Sequence, residues 1–401
     1  MRLNPEILSL HMANRTLSAH TRKRPTHHKR SVVRRLRRGL PIAVCLALLV
    51  AVAYRLIMPG TQFLLRFKDA SPEGDHRGYP FDVQKRVIDN LDRQIPIRIY
   101  KPKHTIERVI VLVHGVHYGG YDEPRLIHFS KRLAGFGYAV VTPEIADLKN
   151  YDIQPRALYD IERTVKWVAG ESGLTAFRNR HGVDLFGISF AGGLCLSAAG
   201  RDSIGSLVAS VFSFGGHADL DETMAYLVTG RLPDGQILRP HIYGQAVLVR
   251  RFAEELVPST EVAELRRVLL DYLSEKFKSV RADIGNLGDM SRTLVNLCMD
   301  RKSDQLGVIL APIVRKKKSQ DILSPVRGKP PSSPVFLLHG YADSVIPPSQ
   351  TLALKRWASP ATHTRALISD LFTHVELGGN KDHAGFFSYW NIIRFWTELL
   401  R

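Results

Sequence analysis

Residues 183–199 read V-D-L-F-G-I-S-F-A-G-G-L-C-L-S-A-A. Val183–Phe186 is typical of a short buried strand, and Leu194–Ala199 predicts a helix of small residues. Ser189 lies in the turn G-I-S-F-A between them. A serine on a tight strand-to-helix turn exposes its hydroxyl at the end of a sheet, and that turn needs small neighbouring residues. The stretch therefore predicts a nucleophile elbow at Ser189.

Strand-like and helix-like segments alternate on both sides of this turn. The further predicted strands are Ile95–Tyr100, Arg108–Val113, Tyr138–Thr142, Leu207–Phe214, Pro334–Leu338 and Arg365–Ser369. The further predicted helices are Leu126–Phe136, Arg156–Ala169, Ser349–Trp357 and about Phe386 to Arg401. Such alternation predicts an α/β fold with a mostly parallel central sheet and helices on both of its faces.

The stretch from Asp219 to about Leu323 interrupts this alternation, because it has no convincing strand pattern. Within it, Glu261–Val280 has apolar residues at helical spacing and predicts one amphipathic helix. The sheet pattern resumes after the Pro- and Ser-rich residues 324–333. We expect a helical cap inserted above the sheet; the alternative is a separate helical domain.

Two further motifs flank the sheet pattern. The predicted strand at 108–113 ends in L-V-H-G-V-H-Y-G-G, residues 112–120. The predicted strand at 334–338 ends in H-G-Y-A-D-S-V-I-P-P, residues 339–348. Together with the turn at Ser189, these motifs resemble those of the α/β-hydrolase family over about residues 83–401, apart from the insertion. The departure from G-x-S-x-G is small, since Ala191 replaces the second glycine.

The resemblance implies a Ser-His-Asp triad in the order nucleophile, acid, base. Ser189 would be the nucleophile and Asp343 the acid, with Asp219 as a rival because some family members place the acid after the sixth strand. The base should follow the last strand, where two histidines occur. We expect His374, which lies closer to that strand, and His383 is the alternative base.

An oxyanion hole is implied as well. One donor would be the backbone N–H of Phe190, and the second would be the N–H of Val116 or of His117, between which the sequence does not choose. His114 precedes the hole, and we expect it to be a structural residue of the loop.

The activity implied is that of a serine hydrolase, which cleaves a carboxylic ester through an acyl-enzyme. The substrate would be a small-molecule or lipid-like acyl compound. A peptidase or amidase with the same triad is one alternative, and a non-catalytic binding protein on the same fold is another. The sequence indicates no metal or organic cofactor, and it leaves the oligomeric state open.

The net charge of +18 lies mainly at the N-terminus. Residues 1–38 hold eleven Lys and Arg against one acidic residue, Glu6, so that the remaining 363 residues share only about +8. No module with interleaved basic and aromatic residues follows, and we therefore expect no nucleic-acid partner. The three cysteines, Cys45, Cys195 and Cys298, are too few for a disulfide framework and favour isolated buried thiols over a bridge between the last two.

An apolar run follows the basic leader. Residues 40–54 carry no charge, and with Arg55 reaching toward the interface the span to Met58 approaches the length needed to cross a bilayer. The cationic flank predicts a cytoplasmic N-terminus and an exported domain, that is, a single-pass membrane protein. A cleaved signal peptide and a buried core helix are the alternatives. The predicted segments are 1–38 basic leader, 39–58 signal-anchor, 59–82 linker, 83–218 first part of the hydrolase core, 219–323 helical cap, and 324–401 second part of the core.

Overall fold

Eight strands form one sheet in the computed structural model, which describes residues 44, 48, 51–52, 54, 57–65, 79–91, 93–174, 182–372 and 385–400. The strands are β1 (Phe81–Asn90), β2 (Arg93–Pro102), β3 (Arg108–Val113), β4 (Tyr138–Pro143), β5 (Val183–Ile188), β6 (Val208–Phe214), β7 (Val335–Gly340) and β8 (Thr364–Ser369). Their order across the sheet is β1-β2-β4-β3-β5-β6-β7-β8. Only β2 runs against its neighbours, so the predicted, mostly parallel sheet is confirmed.

The central strands are apolar on both sides because helices cover both faces of the sheet. One face carries a row of aliphatic residues that pair across neighbouring strands: Val111, Leu185, Val211 and Val335. The opposite face carries a larger, mostly aromatic row: Leu112, Phe186, Phe212 and Phe336. Two separate hydrophobic clusters form around these rows.

The helices outside the insertion divide between the two faces. They are α1 (which includes residues 57–65), α2 (Pro124–Gly135), α3 (Ala146–Lys149), α4 (Pro155–Gly170), α5 (Phe190–Ala199), α13 (Ser349–Ala358) and α14 (Phe386–Leu399). Residues of α1, α2 and α14 pack in the cluster of the aromatic face, whereas those of α4, α5 and α13 pack in the cluster of the aliphatic face. Short 3₁₀ turns complete this part of the chain at Gly120–Asp122, Gly205–Leu207, Asp321–Leu323 and Pro325–Arg327.

Seven helices lie between β6 and β7. They are α6 (Leu220–Thr229), α7 (Ile242–Arg251), α8 (Ala253–Leu256), α9 (Ser259–Leu273), α10 (Phe277–Asp283), α11 (Asp289–Met299) and α12 (Ser303–Lys316), with a 3₁₀ turn at Ile284–Asn286. Their buried residues belong to the same cluster as the aliphatic face of the sheet. The insertion therefore packs on the sheet region and shares its hydrophobic interior.

The single helix predicted over Glu261–Val280 was wrong, because α9 ends at Leu273 and α10 begins at Phe277. The helix ends where Glu275 adopts the left-handed conformation, with φ of 60°. The backbone N–H of Lys276 then donates to the carbonyl of Asp271, which is the hydrogen bond that closes a helix C-terminus of this kind.

The linker predicted over residues 59–82 also differs from the structure. Residues 57–65 are helical, and Phe63 is buried with its ring centroid 4.4 Å from that of Trp396 in α14. Strand β1 begins at Phe81, two residues before the predicted start of the core. It is an edge strand with most of its residues exposed, so its hydrophobic alternation is weak.

The N-terminal region forms a unit of its own, Met1–Leu56, separate from Ile57–Arg401. Its five described residues are helical and exposed. Among the residues that the structure describes, no helix combines the length and the apolar character needed to span a membrane. Most of the predicted signal-anchor, residues 39–58, lies outside the described residues.

Candidate active site

Ser189 occupies a strained turn between β5 and α5. Its φ of 55° and ψ of −135° are rarely adopted by a residue with a side chain, and such strain is typical of functional sites. The backbone N–H of Ser189 donates to the carbonyl of Phe214 over 2.7 Å, which fixes the turn against the end of β6. Ser189 is 7% exposed at the carboxyl edge of the sheet. The elbow predicted from the sequence is present.

Three glycines allow the chain to pack closely around this elbow. A Cβ at Gly187 would overlap the carbonyl of Ala191, and one at Gly192 would overlap the hydroxyl of Ser213. A Cβ at Gly193 would lie 2.5 Å from the ring of His217. Ala191 itself is fully buried in α5, so its methyl group fits where the family pattern has glycine. The departure from the motif therefore leaves the turn intact.

The loop after β3 lies directly against Ser189. A Cβ at Gly115 would be 3.1 Å from the Cβ of Ser189, a contact closer than most side chains make. His114 holds this loop in place: Nδ1 donates to the carbonyl of Gly115 over 2.7 Å, and Nε2 accepts from the N–H of Ile145 over 3.0 Å. Burial lowers the pKa of His114 to about 4, so the ring is neutral at neutral pH. The predicted structural role of His114 is confirmed.

The peptide groups of this loop are fixed by their carbonyls. His114 holds the carbonyl of Gly115, and the hydroxyl of Tyr243 in α7 donates to the carbonyl of Val116 over 2.6 Å. Because a peptide group is planar and trans, each contact also sets the direction of the N–H on the other side, that of Val116 and that of His117. Within the described part of the chain, neither N–H, nor that of Phe190, donates a hydrogen bond.

Asp343 is fully buried in the turn after β7. Its Oδ1 accepts from the N–H groups of Val345 over 2.9 Å and Ile346 over 3.0 Å. Its Oδ2 lies 3.2 Å from Nε2 of His339. Backbone donors of this kind stabilise the ionised form of a carboxyl group. These contacts fix the orientation of the Asp343 carboxylate.

His339 is a site residue to which the sequence analysis gave no role. It is fully buried, with Nε2 also 2.8 Å from the carbonyl of Ile346 and Nδ1 2.6 Å from the hydroxyl of Thr351. Nε2 faces two acceptors, the Asp343 carboxylate and the Ile346 carbonyl, so it carries a hydrogen. Nδ1 then accepts from the Thr351 hydroxyl. The spacing H-G-x-x-D could have revealed this contact, because it places His339 at the end of β7 and Asp343 in the turn that follows.

The carboxylate of Asp219, the rival acid, forms hydrogen bonds and an ion pair at the two ends of the insertion. Its carboxylate caps α6 by accepting from the N–H groups of Asp221 and Glu222, over 2.8 and 3.1 Å. It also forms a two-point ion pair with Arg327, in the segment that leads from the insertion back to the sheet. This carboxylate therefore joins the two ends of the insertion.

The two predicted bases, His374 and His383, lie outside the described residues. The strands that precede Ser189 and Asp343 are separated by one strand, β6, and neighbouring strands lie about 4.8 Å apart, so these strand ends are about 10 Å apart. The predicted base follows β8, which is the neighbour of β7.

An apolar cavity of about 30 Å³ lies beside Val116 and Phe190. It lies between the sheet edge and the insertion, and it is lined by Val116, Tyr151, Ile153, Phe190, Leu220, Met224, Leu227, Tyr243, Gly244, Val247, Leu248, Arg251 and Val345. Val116 and Phe190 are two of the predicted oxyanion donors. Among the described residues, no group of three or more His, Cys, Asp or Glu side chains is arranged to hold a metal ion.

Comparisons with known proteins give partial similarities. No family model matches the chain. The quorum-quenching protein AidA of Acinetobacter baumannii is 30% identical over 131 residues, which is 31% of this chain and 40% of AidA. The acylaminoacyl peptidase of Pyrococcus horikoshii aligns at 16% identity and a TM-score of 0.44 over 84% of this chain, which covers 42% of the peptidase. A thermostable esterase from Pseudomonas putida aligns at 14% identity and a TM-score of 0.46, over 82% of this chain and 84% of the esterase.

The architecture can be stated from the chain itself. The sheet is parallel except for its second strand, a serine elbow joins β5 to α5, and a buried aspartate follows β7. These features agree with the three sequence motifs and confirm the expected architecture. The chain has the α/β-hydrolase fold, with a helical insertion between β6 and β7.

Proposed function

We propose that this protein is a serine hydrolase that cleaves carboxylic esters through an acyl-enzyme. The observation that carries the proposal is the elbow itself, in which Ser189 combines a φ of 55° with close contact to the loop at Gly115. That arrangement supports a nucleophile beside the loop that carries Val116 and His117, two of the predicted oxyanion donors, and a tetrahedral intermediate needs both a nucleophile and such donors. A serine in an ordinary turn would need neither the strain nor the neighbouring donors.

The proposed reaction uses Ser189 and Asp343 together with His374, the base predicted from the sequence. His374 takes the proton of the Ser189 hydroxyl as its oxygen attacks the ester carbonyl, and Asp343 orients the imidazolium that forms. The N–H groups of Phe190 and of Val116 or His117 stabilise the negative oxygen. The C–O bond to the alcohol then breaks, and His374 gives its proton to that alcohol. Water repeats the sequence on the acyl-enzyme, which releases the carboxylic acid and restores Ser189.

Labelling with a fluorophosphonate probe tests this proposal, because the probe forms a covalent bond to an activated serine. The wild type should be labelled, and Ser189→Ala should lose all labelling. His374→Ala should reduce the labelling rate by about 10³-fold or more, since an unassisted serine hydroxyl is a weak nucleophile. The variants that lose labelling should also lose the turnover of simple esters.

Exposed Ser206 supplies a control, because Ser206→Ala removes a serine hydroxyl from the 3₁₀ turn before β6, outside the elbow. Ser206→Ala should label as the wild type does. Unchanged labelling of Ser189→Ala, or an unlabelled wild type, contradicts the proposal. Full labelling of His374→Ala with loss in His383→Ala assigns the base to His383. Turnover of anilides at the rate of esters would favour an amidase.

We propose further that residues 39–58 anchor the hydrolase domain in a membrane, with the basic leader in the cytoplasm. The support is the uncharged run at 40–54 and the cationic flank that precedes it. The full chain should stay in the membrane fraction after alkaline carbonate washing and keep its full mass. Replacing Arg34, Arg35, Arg37 and Arg38 by Glu should reverse or scramble the orientation of fused reporters. Recovery of the chain in the soluble fraction, or at the mass left by cleavage near residue 53, contradicts the anchor.

A further inference from the structure

The turn that carries Asp343 is held by the insertion at one backbone carbonyl. This carbonyl belongs to the next residue, Ser344. It accepts from the hydroxyl of Tyr226 in α6 over 3.0 Å and from the backbone N–H of His241, just before α7, over 2.8 Å. A carbonyl oxygen has two lone pairs, so the insertion supplies a donor for each of them. Tyr226 and His241 therefore fix the direction of this carbonyl.

The same peptide group carries one of the hydrogen bonds to Asp343. Its N–H belongs to Val345 and donates to Oδ1 of Asp343 over 2.9 Å. Because a peptide group is planar and trans, the carbonyl of Ser344 and the N–H of Val345 point in opposite directions and turn together. A donor on the carbonyl also polarises the group and strengthens the bond that its N–H donates. The hydroxyl of Tyr226 thus acts on the Asp343 carboxylate through a single peptide.

The Tyr226 hydroxyl is suited to a permanent role as a donor. The side chain is buried, and burial raises the pKa of its phenol well above the usual value. The negative charge of Asp343 raises this pKa further. The hydroxyl therefore keeps its hydrogen at neutral pH and remains a donor to the carbonyl of Ser344.

Helix α6, which carries Tyr226, is itself fixed to the sheet region. Gln350 in α13 accepts from the backbone N–H groups of Ala218 and Asp219, over 2.8 and 2.9 Å, just before α6 begins. Its side-chain amide donates to the carboxylate of Glu222 over 3.2 Å. A positioning group needs such support, because a donor on a loose element cannot hold a peptide in one direction.

On these contacts, and resting on the proposed esterase function, we propose that Tyr226 is a positioning residue for Asp343. It orients the carboxylate of the proposed triad through the peptide between Ser344 and Val345. In the same way, Tyr243 of α7 holds the carbonyl of Val116 in the loop after β3. The insertion thus contributes to the site from two of its helices, each time through the carbonyl of one peptide.

Tyr226→Phe tests the proposal, because it keeps the ring and removes only the hydroxyl. With the full chain in detergent, kcat for p-nitrophenyl acetate should fall about three- to tenfold, the effect of one lost hydrogen bond, with little change in KM. Tyr272→Phe is the matched control, since its hydroxyl donates to the carbonyl of Cys298 within the insertion. This control should leave kcat unchanged. An unchanged kcat for Tyr226→Phe contradicts the inference.

A double-mutant cycle with Asp343→Ala separates positioning from a general loss of structure. An enzyme without its triad acid keeps a residual activity from the oxyanion hole and from substrate binding. Tyr226→Phe should not lower that residual kcat further, because the carboxylate that Tyr226 orients is gone. A loss of the same size in both backgrounds contradicts the inference, since it would show that Tyr226 acts independently of Asp343.

Hydrogen–deuterium exchange gives a second test, which needs neither activity nor an Asp343 variant. The N–H groups of residues 343–348 should exchange faster in Tyr226→Phe than in the wild type, and at the wild-type rate in Tyr272→Phe. Unchanged exchange in this segment contradicts the inference even if the enzyme is active. A wild type that is neither labelled by the fluorophosphonate nor active contradicts the proposed function, and the exchange rates then still decide whether Tyr226 holds this turn.

Discussion

At the scale of single residues, the site depends on contacts that connect the insertion to the sheet. The hydroxyl of Tyr243 reaches from α7 to the carbonyl of Val116, 127 positions earlier in the sequence. Through that carbonyl it orients the N–H of His117, one of the two candidates for the second oxyanion donor. Tyr243 would therefore be a positioning residue of the proposed oxyanion hole, and it also lines the apolar cavity.

Tyr243→Phe should lower kcat about tenfold with little change in KM. The variant keeps the ring in the cavity and removes only the hydrogen bond that orients the peptide, a smaller loss than the roughly 10²- to 10³-fold cost of deleting an oxyanion donor. Steady-state kinetics on p-nitrophenyl acetate measure both constants. Tyr272→Phe is the matched control, because it removes a hydroxyl bonded to the carbonyl of Cys298 within the insertion. A raised KM with an unchanged kcat would assign Tyr243 to the cavity alone.

At the scale of secondary-structure elements, the end of α9 shows how a regular pattern can mislead. Apolar residues recur at helical spacing through Leu273, Phe277 and Val280, so the sequence predicts one helix across them. The break occurs at exposed Glu275, where a hydrogen bond between Lys276 and Asp271 closes the helix. Glycine is the usual residue at such a position, and its absence removed the signal that would have marked the end.

Glu275→Gly should stabilise the protein by about 0.5–1 kcal/mol. A left-handed residue with a side chain costs roughly 1–2 kcal/mol, and the greater freedom of glycine in the unfolded chain offsets part of the gain. Urea unfolding should show a higher midpoint with an unchanged slope. Glu275→Ala removes the same carboxylate but keeps the Cβ, so it should show no such gain. Equal effects of the two variants would show that charge, not backbone strain, governs this position.

At the scale of the whole molecule, the sequence predicted most of the central sheet and the placement of Ser189 and Asp343. Those features are local: a buried strand is a run of β-branched and aromatic residues, and an elbow is a serine among small residues. The prediction of isolated buried thiols is confirmed for the two described cysteines, Cys195 and Cys298. Motif order along the chain also predicted that Asp343 follows the strand β7.

What the sequence did not predict depends on partners that are far apart along the chain. The support of Asp343 by His339 and Thr351, and of Val116 by Tyr243, requires side chains from different elements to meet. The edge strand β1 is mostly exposed, so it lacks the apolar alternation by which strands are recognised. The burial of Phe63 in the helix at 57–65 depends on the surface of α14, an element far away along the chain, so no local pattern shows it.

That surface has a consequence for the order of folding. The backbone N–H of Gly60 donates to the hydroxyl of Thr397 over 3.0 Å, across 337 positions of sequence, and a Cβ at Gly60 would overlap the carbonyl of Ile393. While the polypeptide grows on the ribosome, residues 57–65 emerge long before α14 exists. Phe63 therefore has no native partner in α14 until residues 386–399 have been synthesised, and this early helix reaches its native place only after the rest of the domain has emerged.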